Sequence, residues 1–390
     1  MINLIEKNLE FIKNYPIFQD NNEFIKKIVG KLNNDRIVVI TGMRGLHKTS
    51  IIKEFLDKTG NENFIYFNDD LDTENLVKDD KEFFNYVKTF ENKYNNCNIV
   101  ILQNINKLQN IKNIILELYK RGNYKILIIG NNIHIDKTRE LEVSNNLFQN
   151  DIEYSYDLLS NYLEYGILPD IKLLNNNFFK KSLLEHIKNK IVLKDIINNY
   201  SIKSDFLFNQ VITKIALLEK SLSIRELHRN IKDQGTDISL ITLMDYLDFA
   251  VNAKIIKRSF TYDLKLDKVI STKVRYYFTD IGIRNTFAGK KLDNKILIEN
   301  LIYNDLITKY SDIYNGSNGR FDFSFYIKDN SNFIHISNKS ITNEIKKETN
   351  KLDKIEQKGK KVMILSSLDI INFEKEINGV KVIGIGRYKK

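Results

Sequence analysis

Between residues 36 and 130 the chain alternates short apolar runs with longer stretches in which apolar residues recur at helical spacing. The runs read RIVVITG (36–42), NFIYFN (63–68), CNIVILQ (97–103) and YKILIIG (124–130). None alternates apolar with polar, so each predicts a strand buried on both faces. Between them, TSIIKEFLDKTG sets Ile51, Ile52, Phe55 and Leu56 on one helical face and stops at Gly60, and NIKNIILELYKRG is helical in the same way. Strands separated by helices give a parallel sheet covered on both faces. With a helical lead-in over residues 1–33, this predicts an α/β domain over 1–155.

After Tyr156 the period changes. Almost everything to Arg258 has helical spacing, and SIRELHRNI (223–231) followed by ISLITLMDYLDFAVNAKIIKR (238–258) predicts a helix-turn-helix. Two strand-like segments follow, SFTYDLKL (259–266) and KVRYYFTD (273–280), so residues 156–290 read as a helical linker and winged helix. A third unit over 291–390 opens with the helix ILIENLIYNDLITKY. Strands RFDFSFYIK, NFIHISN and KVMILSS follow, with a charged helix between the last two.

At 390 residues, with 42% hydrophobic and 28% charged residues, the chain is globular and long enough for several cores. No apolar run approaches the ~18–20 residues that span a bilayer, and the charged start MINLIEKNLEFIKNYP is unlike a leader. The expected location is the cytoplasm, without membrane contact. Cys97 is the single cysteine, which excludes an intrachain disulfide and a cysteine zinc cluster. The net charge of +10 fits an acidic partner such as nucleic acid, or a general drift towards lysine; both readings stay open.

The first strand leads into the candidate chemistry. RIVVITGMRGLHKTSII has the layout of a phosphate-binding loop, G-x-x-x-x-G-K-[ST], with His47 where the second glycine belongs. Such loops turn backbone N–H groups onto phosphates at a helix N-terminus. Gly42, Arg44, Gly45, His47, Lys48, Thr49 and Ser50 are therefore the candidate nucleotide contacts. Lys48 would reach the β- and γ-phosphates and Thr49 would ligate Mg²⁺. An ATPase also needs Asp-Glu after an apolar strand, to hold the metal's water shell and polarise the attacking water. Here that strand ends in Gln103 and Asn104, two amides that can act neither as base nor as counter-charge. The next strand ends in Gly130-Asn131, where Asn131 stands as a sensor of the γ-phosphate.

These features, with phrases further on, resemble AAA-type P-loop ATPases whose C-terminal half is a winged helix followed by a restriction-endonuclease-like fold. The resemblance spans nearly the whole chain. Gly42, Arg44, Lys48 and Thr49 agree with the family's G-x-R-R-x-G-K-[ST] loop; Gly45 and His47 depart from it. NYLEYGILPDI (161–171), KVRYYFTDIGIRN (273–285) and LIENLIYNDL echo three further family phrases in order. The stretch between the sensor and the first of these is short and lacks the family's Gly-Arg. The resemblance implies ATP or ADP as ligand, with Mg²⁺ weakly held, in a protein compatible with oligomerisation.

An endonuclease-like site would need acids on a helix and two strands, with a lysine beside the last. Glu299 and Asp322 stand at matching places. The third strand reads Ile334-His335-Ile336-Ser337, without the second carboxylate or the lysine. A fold that has lost its chemistry is the expectation, with Glu299 and Asp322 near each other and His335 and Ser337 beside them. Around the winged helix, Arg225, Arg229, Lys254, Lys257, Arg258, Lys265, Lys268, Lys273 and Arg275 suit non-specific contacts with DNA phosphates. The alternative is a packing module, because ITLMDYLDFAVNAKII offers Asp245 and Asp248 in place of base-reading Arg, Asn or Gln. The leading functional expectation is a nucleotide-binding protein with impaired or lost hydrolysis. The alternatives are a pseudo-enzyme scaffold that binds no nucleotide and acts through protein or DNA contacts, and an ATPase that tolerates the substitutions.

Overall fold

A computed structural model describes the chain apart from residues 19, 61–62, 95–96, 106–107, 123, 132, 134–138, 144–154, 201, 203, 320, 341 and 389–390. The short stretch between sensor and linker falls largely outside the described residues. The chain divides into two compact units, Met1–Val143 with Asn252–Lys254, and Ser144–Val251 with Ile255–Lys390.

The first unit runs α1 (Ile2–Lys13), α2 (Asn22–Asp35), β1 (Ile37–Thr41), α3 (Lys48–Thr59), β2 (Phe64–Asn68), α4 (Asp80–Lys93), β3 (Ile99–Gln103), α5 (Ile111–Lys120), β4 (Lys125–Ile129) and β5 (Arg139–Glu142). All five strands are parallel, in the order β2-β3-β4-β1-β5. Every residue of β1, β2 and β3 is buried, which accounts for the unbroken apolar runs. α3 ends where the sequence stops it, with Gly60 in the left-handed conformation at φ 63°. This is the five-stranded parallel sheet of a P-loop NTPase fold.

Register aligns the carboxyl ends of the strands. Asn68 lies opposite Gln103, Gln103 opposite Ile129, and Ile129 opposite Ile40. The loops after β1, β2, β3 and β4 therefore leave along one edge. The chain leaves β1 for β2 at the far side of the sheet, so β1 sits at the point where strand order reverses, the usual place for a ligand crevice.

The second unit comprises α6 (Tyr156–Tyr165), α7 (Pro169–Lys172), α8 (Asn177–Lys190), α9 (Asn198–Tyr200), α10 (Asp205–Ala216), β6 (Leu222–Ser223), α11 (Ile224–Asp233), α12 (Leu240–Asn252), β7 (Ile256–Asp263), β8 (Lys268–Phe278), α13 (Ile281–Ala288) and α14 (Asn294–Lys309). It continues with β9 (Ile313–Ser317), β10 (Asp322–Ile327), β11 (Asn332–Ser337), α15 (Thr342–Asp353), β12 (Lys361–Leu365), β13 (Glu374–Ile377) and β14 (Val380–Gly384). Its strands form one sheet in the order β13-β14-β12-β11-β10-β9-β7-β8-β6. The β7–β8 hairpin joins the later strands through a parallel β7–β9 pairing. Its turn lies earlier than the sequence pattern placed it, because the Asp263 carboxylate accepts the backbone N–H groups of Lys265 and Leu266. One apolar cluster joins α6, α13 and α14 to the sheet and a second lies beneath α15.

Two of the phrases that carry the family resemblance meet here. Asp280 accepts the backbone N–H of Ile167 at 2.9 Å and of Ile283 at 3.0 Å, and Asn285 donates to the carbonyls of Leu163 and Glu164. A Cβ on Gly282 would come within 2.1 Å of the Tyr165 carbonyl oxygen. These residues tie α6 to α13, a structural role.

Candidate functional site: a phosphate-loop crevice and a second polar pocket

The loop after β1 has the backbone that its glycines allow. Gly42 adopts φ 145° and Gly45 φ 92°. His47 takes φ 51°, ψ 39°, a left-handed conformation that suits glycine and costs a side-chain-bearing residue about 1–2 kcal/mol. The backbone adopts the loop shape with His47 at a position that glycine fits best. The imidazole packs edge-on to Phe18, with ring centroids 4.0 Å apart, and the Phe18 N–H donates to Ser50 Oγ at 3.2 Å. α3 begins at Lys48 with no side-chain cap, so its first N–H groups and the helix dipole face the loop.

The candidate phosphate-binding side chains are engaged by the loop and its neighbours. Lys48 Nζ donates to the carbonyls of Gly42 at 2.7 Å and Met43 at 3.1 Å. The Gly42 N–H donates to Asn131 Oδ1 at 3.0 Å, and Asn131 Nδ2 donates back to the Gly42 carbonyl. Gln103 Nε2 donates to Thr49 Oγ1 at 2.9 Å, while Tyr66 donates its hydroxyl to Gln103 Oε1 at 2.8 Å. In the structure the amide lies with its NH₂ towards Thr49. Burial pushes the Tyr66 hydroxyl far above its ordinary range, so it stays a donor.

This arrangement fits Mg²⁺ poorly. The Thr49 oxygen meets an amide donor where a metal would need an acceptor, and among the described residues no group of three or more His, Cys, Asp or Glu could hold a metal. Asn104, at φ 54°, donates to Asp70 Oδ2 at 2.9 Å, and Arg44 lies 4.0 Å from the same oxygen. Asp70 is thus a carboxylate of the crevice that sequence reasoning passed over. Its signal was the Asp69-Asp70 pair directly after β2, a strand whose end aligns with Gln103.

In the second unit, Glu299, Asp322 and His335 line one pocket of ≈ 140 Å³. The two acids are already paired. Glu299, 2% exposed, meets Arg275 at 2.8 Å and accepts the Tyr277 hydroxyl at 3.1 Å; Asp322 meets Lys273 at 3.0 Å. Ser337, two residues along β11 from His335, bonds Glu348, and His335 Nε2 lies 3.6 Å from the same carboxylate. Burial alone would raise the Glu348 carboxyl, but His335 and Ser337 outweigh it and hold it at about 2. Arg275 and Glu348 were not singled out by sequence as partners of this site.

Part of the charge around the hairpin is spent within the protein. Arg258 pairs with Asp248, Lys254 with Glu140 and Glu142, and Lys273 and Arg275 with the acids just named. The outward residues of α12 include Ile241 at 73% exposure and Met244 at 47%. Among the described residues, no helix is long and apolar enough to cross a membrane.

Comparison with known proteins places the first unit. Residues 34–145 match the family model of the AAA domain. No curated protein matches the chain. Among solved structures, a Walker-type ATPase of Pyrococcus abyssi is 14% identical with TM-score 0.48, over 71% of this chain and 99% of that one. The Thermotoga maritima RuvB Holliday junction branch migration motor is 12% identical with TM-score 0.30, over 64% and 93%. The Aeropyrum pernix Orc1 protein, solved in complex with DNA, is 9% identical with TM-score 0.26, over 77% and 97%. TM-scores below 0.5 carry no inference about what this chain does. The sheet order, the loop after β1 and the family match agree that residues 34–145 are an AAA-type, ATPase-like P-loop domain.

Proposed function

We propose that this protein binds ATP or ADP in the crevice above β1 and hydrolyses it negligibly or not at all. The observation that carries this reading is the Tyr66–Gln103–Thr49 chain. It leaves the loop, Lys48 and the N-terminus of α3 as phosphate ligands, yet turns an amide donor onto the metal-ligating hydroxyl. Binding and chemistry are thereby separated. Phosphates are met by backbone N–H groups and one ammonium, and a metal-bridged, base-assisted attack lacks its carboxylates. Mg²⁺ would add little to affinity.

The second unit is read as a winged helix over 156–290 followed by an endonuclease-like domain over 291–390 that no longer cleaves. Helices α11 and α12 before the β7–β8 hairpin support the first part. The capture of Glu299 by Arg275 supports the second, because a metal would have to displace a buried guanidinium. DNA contact would be non-specific, through phosphates, with Lys254, Arg258, Lys273 and Arg275 already engaged by acids of the protein. The test is turnover. Phosphate release from ATP should stay at background in the unmodified protein, and a robust rate that vanishes in Lys48→Ala overturns the reading.

A further inference from the structure

Three residues of the later chain, Asn252–Lys254, belong to the first unit, although Val251 before them and Ile255 after them belong to the second. They form the end of α12 and the turn into β7, and two separate sets of contacts fasten them to the residues around Gly42. Lys254 Nζ donates to Glu140 at 2.9 Å and to Glu142 at 3.2 Å, and Glu140 also accepts the hydroxyl of Thr41, the last residue of β1. The Ala253 carbonyl accepts Asn131 Nδ2 at 3.3 Å. Lys254 holds φ 60°, a left-handed conformation that a side-chain-bearing residue keeps only where its surroundings impose it.

Asn131 is shared between this turn and the phosphate loop. The Gly42 N–H can only donate and meets Oδ1, while the carbonyls of Gly42 and Ala253 can only accept and meet Nδ2, so the amide orientation is set from both ends. An amide nitrogen carries two hydrogens, and both are committed. A terminal phosphate sensed by Asn131 must therefore take one of them. The bonds to Gly42 form a reciprocal pair, and the Gly42 carbonyl needs that pair all the more once Lys48 leaves it for a phosphate. The bond to Ala253 is single, so it is the one that gives way. A phosphate oxygen is charged and is a stronger acceptor than a carbonyl.

We infer, on the footing that the crevice binds nucleotide, that Asn131 is a latch: the third phosphate of ATP competes with the Ala253 carbonyl for one amide hydrogen, so that ATP loosens the turn at Ala253–Lys254 and ADP does not. Lys254 stays paired with Glu140 and Glu142, which keeps the turn attached while the bond to Asn131 opens. α12 ends and β7 begins at this turn, so occupancy of the crevice reaches the second unit through these two elements. Coupling is reciprocal, so weakening the hold on the turn must favour ATP over ADP by the same factor.

Hydrogen exchange of the peptide spanning residues 250–256 reads the latch, because the Ile255 N–H donates to the Ala250 carbonyl at 3.0 Å and exchanges slowly while the turn is closed. The full chain is compared alone, with ADP and with the β,γ-methylene analogue of ATP, each nucleotide at a concentration that calorimetry shows to be saturating. Exchange should rise about fivefold or more with the ATP analogue and stay at the unliganded rate with ADP. In Asn131→Ala the turn should exchange faster without any ligand, and the difference between the two nucleotides should vanish. Lys254→Gln, outside the proposed phosphate ligands, should raise the affinity for the ATP analogue about fivefold and leave that for ADP unchanged. Binding of both nucleotides with equal exchange in the two complexes, or a nucleotide preference unmoved by Lys254→Gln, overturns the latch alone. No heat with either nucleotide overturns the nucleotide reading and the latch with it.

Discussion

At the end of β3 the first unit presents two amides, Gln103 and Asn104, whereas the pocket of the second keeps two acids, Glu299 and Asp322, and gives each a cation. At the end of β3 the charge is gone, but the loop, helix N-terminus and lysine of the proposed phosphate site persist. In the pocket the charge persists but is consumed by Arg275 and Lys273. Replacing a carboxylate with an amide disables a site while leaving its geometry free for a ligand. Pairing a carboxylate with a buried guanidinium makes that carboxylate part of the structure. The first kind of site should be repairable by substitution, and the second should fall apart when touched.

The comparison breaks most visibly if the crevice resists repair. His47→Gly with Gln103→Asp and Asn104→Glu restores loop flexibility, a metal-facing carboxylate and a base. A positioned base contributes about 10²–10⁴-fold, so ATP turnover in this variant should rise by about that factor over the unmodified protein. No rise, with ATP still bound, would show that more than the strand end has been lost. In the pocket, Arg275→Ala should cost about 3–5 kcal/mol in urea denaturation, because it strands Glu299 in a buried site. Adding Glu299→Gln should recover much of that loss. If the two costs simply add, the pair is not the unit described here.

A pH titration sharpens the same contrast. The Glu348 carboxyl is held at about 2, below the ~4.3 of an unfolded glutamate. A depressed acid stabilises the folded state above its unfolded value and ceases to do so as pH falls through the folded one. Its contribution, up to about 3 kcal/mol, should be present at pH 6 and decline progressively between pH 4.3 and 2. Glu348→Gln should flatten that part of the stability profile; an unchanged decline in the variant would locate it elsewhere. The smallest effect belongs to the crevice. Tyr66→Phe removes one buried hydrogen bond and should cost about 1–3 kcal/mol.

Much of the fold was legible because burial on both faces writes itself as unbroken apolar runs. β1 to β4 and the stop of α3 at Gly60 all follow from local sequence. β5 escaped notice because Arg139–Glu142 is a charged edge strand, which is how edges are protected. β9 escaped because Asn315-Gly316 reads as a turn. There Gly316 is needed because the Phe323 ring packs within 2.1 Å of where a Cβ would stand. The loop residues of the crevice were legible from motif spacing. The direction in which the Gln103 amide points was not, since it depends on Tyr66 one strand away. Likewise, Glu299 can be chosen as an acid from the phrase around it, but its guanidinium partner lies 24 residues earlier, on β8.

The central claim, binding without metal-assisted chemistry, is tested most directly by calorimetric titration of ATP with and without Mg²⁺, in the unmodified protein and in Lys48→Ala. ATP should bind with an affinity that Mg²⁺ changes less than about threefold, and Lys48→Ala should remove most of that binding. Affinity that rises tenfold or more with Mg²⁺ would contradict the role given to Gln103, and no binding at millimolar ATP would leave the crevice a scaffold alone.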